Sequence, residues 1–251
     1  MKKNHKSFLG LKLFGLLLLL PFIHQAQDLE VGLFGGVNYY VGDINPARQF
    51  SQPEPAYGLI ARYNPNTRWA FRGSFTMGKL IGDDAVVKFN ESRALAFETR
   101  VNDFSLIAEF NFFDYFTGSK RDYVTPYIFG GFSVFTFDPK PFYDNQVQNP
   151  GQAEGVSYNQ MAFSIPFGVG VKYSLGKRVG LAAEWRMHKT FTDYIDDVST
   201  VYAYPTGNFD AGMKRGDSST NDWFSYAGIT LTYKFDLIGN QRCDNFNQTN
   251  H

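Results

Sequence analysis

Residues 161–173 read Met161-Ala162-Phe163-Ser164-Ile165-Pro166-Phe167-Gly168-Val169-Gly170-Val171-Lys172-Tyr173, and their parity decides the fold. Met161, Phe163, Ile165, Phe167, Val169, Val171 and Tyr173 share one face of an extended strand. Ala162, Ser164, Pro166, Gly168, Gly170 and Lys172 share the other. One face is wholly apolar, and the other is small or polar. The run exceeds the five or six residues usual in soluble sheets and covers the roughly 9–11 that a tilted strand needs to cross a bilayer. After the tight turn Ser174 to Lys177, Val179, Leu181, Ala183, Trp185 and Met187 oppose Gly180, Ala182, Glu184, Arg186 and His188. The second face now carries charge, so lipid is the fitting solvent for the first.

Working outward, the same alternation recurs. Leu29, Val31, Leu33, Val37, Tyr39 and Val41 oppose Glu30, Gly32, Phe34, Gly36, Asn38 and Tyr40. Tyr57, Leu59, Ala61 and Tyr63 oppose Gly58, Ile60 and Arg62, and Trp69, Phe71, Phe75 and Met77 oppose Ala70, Arg72, Ser74 and Thr76. Phe104, Leu106, Ala108, Phe110 and Phe112 oppose Asp103, Ser105, Glu109 and Asn111. Trp223, Ala227, Ile229, Leu231, Tyr233 and Phe235 oppose Tyr226, Gly228, Thr230, Thr232 and Lys234. Val124 to Thr136 is apolar on both faces and shows no clear parity. The pattern predicts eight strands.

Connection lengths alternate with them. Residues 42–55, 80–100, 137–158 and 193–221 form long loops, whereas Asn64 to Thr67, 115–122 and Ser174 to Lys177 are short. An outer-membrane barrel distributes its outer loops and periplasmic turns in this way. A soluble sandwich also alternates faces, but nothing in its physics ties loop length to strand parity. In a bilayer every backbone N–H and C=O must find a protein partner, so the sheet closes on itself. The predicted fold is therefore all-β, an eight-stranded antiparallel up-and-down transmembrane β-barrel. The 26 Phe, 15 Tyr and 3 Trp fit a lipid-facing surface, with Tyr63, Trp69, Phe112, Tyr173, Tyr233 and Phe235 forming a girdle at the short-turn end.

Lys2, Lys3 and Lys6 precede an apolar stretch from Phe8 to Ile23, and His24-Gln25-Ala26 follows. This is the order of a secretory signal peptide, with cleavage after Ala26; the run is short for a membrane anchor. Removing it takes four lysines and no acid, leaving 20 basic against 24 acidic residues. The predicted organisation is a leader over 1–26, a barrel over 27–235 and a periplasmic tail over 236–251, with both ends of the mature chain in the periplasm. Formal neutrality of the whole chain, 24 basic and 24 acidic residues, argues against nucleic acid as a partner. The single Cys243 excludes a disulfide framework and multi-Cys metal sites, and leaves an intermolecular disulfide or a free thiol in the tail.

Eight strands enclose a space that side chains can fill. The inward parity offers Glu30, Arg62, Arg72, Glu109, Lys172, Glu184, Arg186, His188 and Lys234. Mixed charges in a narrow lumen predict mutual ion pairs and a plugged interior, which a small selective channel would contradict. His188, with Asp193, Asp196, Asp197 and Ser199 in the next loop, is the one grouping suggestive of a nucleophile and base; a lumen histidine beside a solvated acidic loop is the plainer reading. Asp83-Asp84 and the 193–197 acids lack calcium-loop spacing and read as solvated turns. Gly35-Gly36 precedes no helix, which excludes a nucleotide loop. Neither a cofactor nor a small-molecule substrate is predicted.

Several segments together resemble one family. They are Gly35-Gly36-Val37-Asn38-Tyr39-Tyr40-Val41-Gly42-Asp43-Ile44-Asn45, Gly82-Asp83-Asp84, Tyr127-Ile128-Phe129-Gly130-Gly131, residues 165–173, and Thr190-Phe191-Thr192-Asp193-Tyr194-Ile195-Asp196-Asp197-Val198-Ser199. In this order they are similar to the PorG-type outer-membrane proteins of the type IX secretion system of Bacteroidetes. The resemblance singles out Gly42, Asp43, Asp193, Tyr194, Asp196 and Asp197 as motif loop residues. It implies a non-enzymatic component that ties the periplasmic ring of the lipoprotein PorK and its partner PorN to outer-membrane lipids. Asp244 follows Cys243, where the family often has proline. A general structural or adhesive barrel is the alternative that the same pattern allows.

Overall fold

The computed structural model describes residues 28–46, 49–87, 95–143, 146–205, 209–217 and 219–236. The proposed leader and the tail with Cys243 lie outside the described residues. Eight long strands follow one another: β1 Asp28–Val41, β2 Glu54–Asn64, β3 Trp69–Asp83, β4 Leu95–Asn111, β5 Val124–Tyr143, β6 Met161–Ser174, β7 Val179–Thr190 and β8 Trp223–Asp236. Each pairs antiparallel with its sequence neighbours, and β1 pairs with β8 from Asp28↔Asp236 to Val41↔Trp223. The sheet is a closed eight-stranded barrel. A two-residue strand, Gln146–Val147, folds back on the end of β5.

Alternation is visible in the burial of each strand. On β6, Met161, Phe163, Ile165, Phe167, Val169, Val171 and Tyr173 are exposed, while Ser164, Pro166, Lys172 and Ser174 are buried. Pro166 has no N–H to give, and the β5–β6 ladder breaks beside it, between Gly130↔Phe167 and Ser133↔Ser164. Gly168 and Gly170 make room for inward rings of β5. A Cβ on Gly168 would stand 2.7 Å from the Phe129 ring, and one on Gly170 2.6 Å from the Tyr127 ring. The ambiguity of β5 is thereby resolved: Tyr127, Phe129, Ser133, Phe135 and Phe137 point inward, and Ile128 and Phe132 outward.

Three strands run further than the sequence suggests. β3 and β4 stay paired as far as Asp83↔Ala96, and β5 continues to Tyr143, so parts of 80–100 and 137–158 are strand rather than loop. The outward face there turns polar, with Lys79, Glu98, Arg100, Asp138 and Lys140, which mimics a loop in sequence. The inward face stays apolar except at Thr99. Leu80, Leu95, Phe97, Val101, Phe135 and Phe137 form a core with Tyr40, Ile44, Ile195, Val198, Phe224 and Tyr226 at the long-loop end. On the outer wall, Tyr39 has lipid-facing parity yet is buried. Phe50 of the first long loop lies 4.7 Å from its ring and 5.8 Å from Trp185, whose Nε1 donates to the Tyr39 hydroxyl.

Candidate functional site

Ion pairs occupy the lumen toward the short-turn end. Glu109, brought inward by β4, meets three cations: Arg62 Nε at 2.9 Å, Arg72 Nε at 3.0 Å and Lys172 Nζ at 2.6 Å. Arg62 also reaches Glu30 at 2.9 Å, and Arg72 pairs with Glu184. Tyr127 donates to Glu184 at 2.9 Å, and Thr117 to Glu30 at 2.7 Å. Lys234 lies 3.6 Å from Asp28. Arg186 donates to Ser74 and Thr76 at 3.1 and 3.0 Å, with its guanidinium 4.8 Å over the Tyr226 ring. Among the described residues, the buried acids Asp28, Glu30, Asp103, Glu109 and Glu184 thus stand against the bases Arg62, Arg72, Lys172, Arg186 and Lys234. Opposite charges this close offset the cost of removing each from water, and they crowd the lumen.

One layer up sits His188. Its Nδ1 lies 3.0 Å from Ser164 Oγ and 3.7 Å from Asp103 Oδ1, while its ring stacks on Phe224 at 4.3 Å. Ser133 completes the cluster, donating to Asp103 at 2.5 Å and lying 2.8 Å from Ser164 Oγ. A nucleophile–base relay needs the hydroxyl and the carboxylate on opposite imidazole nitrogens. Here both are on Nδ1, and Nε2 has no hydrogen-bond partner among the described residues. All four side chains are buried. The acids of the following loop, read beside His188 in the sequence, make none of these contacts.

Those acids form the cap instead, and they are buried rather than solvated. Residues 193–199 turn into the barrel mouth, seating Ile195 and Val198 in the aromatic core. Tyr40 contacts Asp196 at 2.5 Å and Asp222 at 2.7 Å. The N–H of Val198 donates to Asp196 at 2.9 Å, and that of Ile195 to Asp222 at 2.8 Å. Asp197, in the left-handed region at φ 61°, accepts from Gly151 N–H and Tyr158 hydroxyl at 2.6 Å each. Tyr194 stacks on Tyr158 at 4.4 Å. Arg215 joins Glu154 at 3.2 Å and Asp197 at 3.6 Å. Asp43 accepts the Asp217 N–H at 2.7 Å, and Gly42 closes a turn with Asn45 at 3.1 and 3.0 Å. A Cβ on Gly42 would stand 2.0 Å from the Tyr40 hydroxyl and 2.3 Å from Asp222. The motif residues of the first and fourth loops therefore meet in one cap.

Burial pushes the carboxyls of Asp196 and Asp222 well above the ordinary range, and each is raised further by neighbouring acids. Asp193 is pushed up to about 7 by burial, with Asp43, Glu154 and Asp217 adding repulsion. Asp197 is raised by burial against the pull of Tyr158 and Arg215. Among the described residues no group of three or more carboxylate, imidazole or thiol side chains is arranged to hold a metal ion. The parity of single strands reveals the lumen charges. Asp222, Glu154 and Arg215 carry no sequence signal, because their partners come from distant loops.

A closed sheet with an apolar outer belt, aromatic rings at its rim and a charged, filled interior defines a small outer-membrane β-barrel. The chain belongs to the family described as "Domain of unknown function (DUF6089)", whose pattern matches residues 10–245. No curated protein matches it in sequence. Similar solved structures include Neisserial surface protein A (NspA), at 14% identity over 82% of this chain and 97% of that one, with a TM-score of 0.49. Ail, the attachment invasion locus protein of Yersinia pestis, is 12% identical over 84% of this chain and 100% of its own, with a TM-score of 0.47. A major outer membrane protein from Thermus thermophilus is 12% identical, with the same coverage and a TM-score of 0.45.

Proposed function

We propose that this barrel is a non-enzymatic component of a type IX protein secretion machinery, anchoring or organising the periplasmic ring at the outer membrane. The observation that carries the reading is the filled lumen. Glu109 with its three cations and the aromatic cap crowd the interior, and in this reading work falls to the two ends and the outer wall. The ordered run of motifs from Gly35 to Ser199 supports the assignment to this pathway. In this reading the short turns and residues 236–251 face the periplasm, where PorK and PorN supply the docking surface and Cys243 is available for an intermolecular disulfide. Outer-membrane lipids surround the belt; neither nucleic acid nor a small-molecule substrate is involved.

Deleting the gene tests it. Loss of secreted cargo, with recovery of PorK and PorN on a tagged barrel after mild crosslinking, is the expected result. Intact secretion alongside a weakened envelope or lost adhesion replaces it with a general structural or adhesive barrel. Non-reducing gels of the native host address Cys243 separately: a thiol-sensitive high-mass band is expected, and its absence removes the disulfide.

A further inference from the structure

We propose that the mouth of the barrel is closed by a proton-held latch, in which Asp196 of the fourth long loop and Asp222 at the foot of β8 share one proton across the Tyr40 phenol, so that the loop lets go as pH rises. The argument begins with hydrogen counting. Asp196 Oδ2 and Asp222 Oδ1 both lie at hydrogen-bond distance from the same phenolic oxygen, at 2.5 and 2.7 Å. That oxygen carries one hydrogen and can donate to only one carboxylate. The second contact needs a hydrogen of its own, and the backbone donors of Val198 and Ile195 go to the other two oxygens, Asp196 Oδ1 and Asp222 Oδ2. One carboxyl must therefore be protonated and donate to the phenol oxygen.

Among the described residues, the surroundings offer no other compensation. Both acids are buried, at 1% and 0% exposure. Both face Asp43 of the first loop, and Asp222 also faces Asp193 of the fourth. Of the two cations of the fourth loop, Arg215 is held by Glu154 and Asp197, and Lys214 lies 3.5 Å from Asp217. On the one-turn helix after β3, Asp84 accepts the Leu95 N–H. From β3, β4 and β5 come Leu80, Phe97, Phe135 and the Thr99 hydroxyl, which donates to Ile195 C=O at 2.5 Å. His188 lies a layer below, beneath Phe224. With the proton gone, two carboxylates confront each other in an apolar cap, and expelling the 193–199 segment into water is the release.

The sign follows from linkage. Both carboxyls bind protons more tightly folded than unfolded, so their contribution is complete below the ordinary carboxylate range and is lost as pH rises through their raised values. Between the ordinary carboxylate range and the raised shared value, the opening constant grows by up to about tenfold per pH unit for a single proton, and above that value it levels off. Amide hydrogen exchange of the full barrel in detergent micelles, corrected for intrinsic rates, reads this between about pH 5.5 and 9.5. Protection of residues 193–199 is expected to fall at least tenfold, while β6 and β7 stay protected.

Two variants separate a latch from general softening. In Asp222→Asn the new amide donates to the phenol oxygen, its carbonyl keeps the Ile195 N–H, and Tyr40 donates to Asp196. Asp196→Asn is the mirror case. Each supplies the missing hydrogen permanently, so the fall is expected to shrink to the part that Asp193 contributes as pH climbs toward 7. Tyr40→Phe removes the bridge and the donor that holds both carboxyls down, and carries the fall to higher pH. Flat protection in the wild-type chain overturns the latch, as does an unchanged pH dependence in the asparagine variants. If those variants do not give the folded, heat-modifiable band, an unshifted fall in Tyr40→Phe overturns it on its own.

Discussion

Glu109 shows how much one side chain carries. It is buried among Arg62, Arg72 and Lys172, and each of those cations is itself buried. Glu109→Gln keeps the shape and removes the charge, leaving three cations with too little compensation. The expected cost is about 3–5 kcal/mol, the usual penalty for breaking a buried pair, read as a lower urea midpoint in detergent. Gly42 works through space alone: Gly42→Ala puts a methyl against the Tyr40–Asp222 contact. Faster exchange in residues 193–199 with an unshifted barrel midpoint is the expected result. Asp193, with a carboxyl pushed up to about 7, favours the folded loop most below about pH 4 and gives up that contribution as pH climbs toward 7. Asp193→Asn should move the onset of loop exchange to higher pH. At this scale the sequence is legible where parity is clean. Arg72, Lys172 and Glu184 announce themselves as charges on the face opposite a greasy one. Asp196 and Asp222 do not, since the phenol that joins them lies 156 and 182 residues away in the chain.

Elements inherit two environments along a single strand. β4 passes from Phe104 and Leu106, exposed to lipid, to Asn102, Arg100 and Glu98, which stand above it. The sequence marks this change well, and that is why the ends of β3, β4 and β5 look like loops. Their inner faces, with Phe97, Phe135 and Phe137, belong to a core resembling that of a soluble protein. A depth test follows. Leu33→Arg, in the middle of β1 and 62% exposed, should cost about 2–4 kcal/mol, as expected for a cation at the bilayer midplane. Asn102→Arg should cost less than about 1 kcal/mol near the interface. Equal costs in lipid-bilayer unfolding would move the membrane boundary up the wall. β5 resists reading for the same reason that it matters: Tyr127 and Phe129 are rings packed over Lys172 and Arg72, at 4.7 and 5.2 Å, on a face where barrels usually carry polar groups.

For the molecule as a whole, the filled interior predicts electrical silence. Reconstituted into planar bilayers, the barrel should show no stable conductance steps at neutral pH, and persistent openings would mean that the ion pairs of the lumen part under working conditions. The seam between β1 and β8 has a consequence of another kind. Asp28 stands opposite Asp236 and Val41 opposite Trp223, so the earliest strand to leave the ribosome is completed only by the last. No chain that stops short of β8 can satisfy both edges of β1, so closure of the barrel waits for β8. Joining residue 28 to 236 by a short linker and reopening the chain at Gly176 would leave every ladder intact, making this a barrel whose order of synthesis can be rewritten without altering its shape.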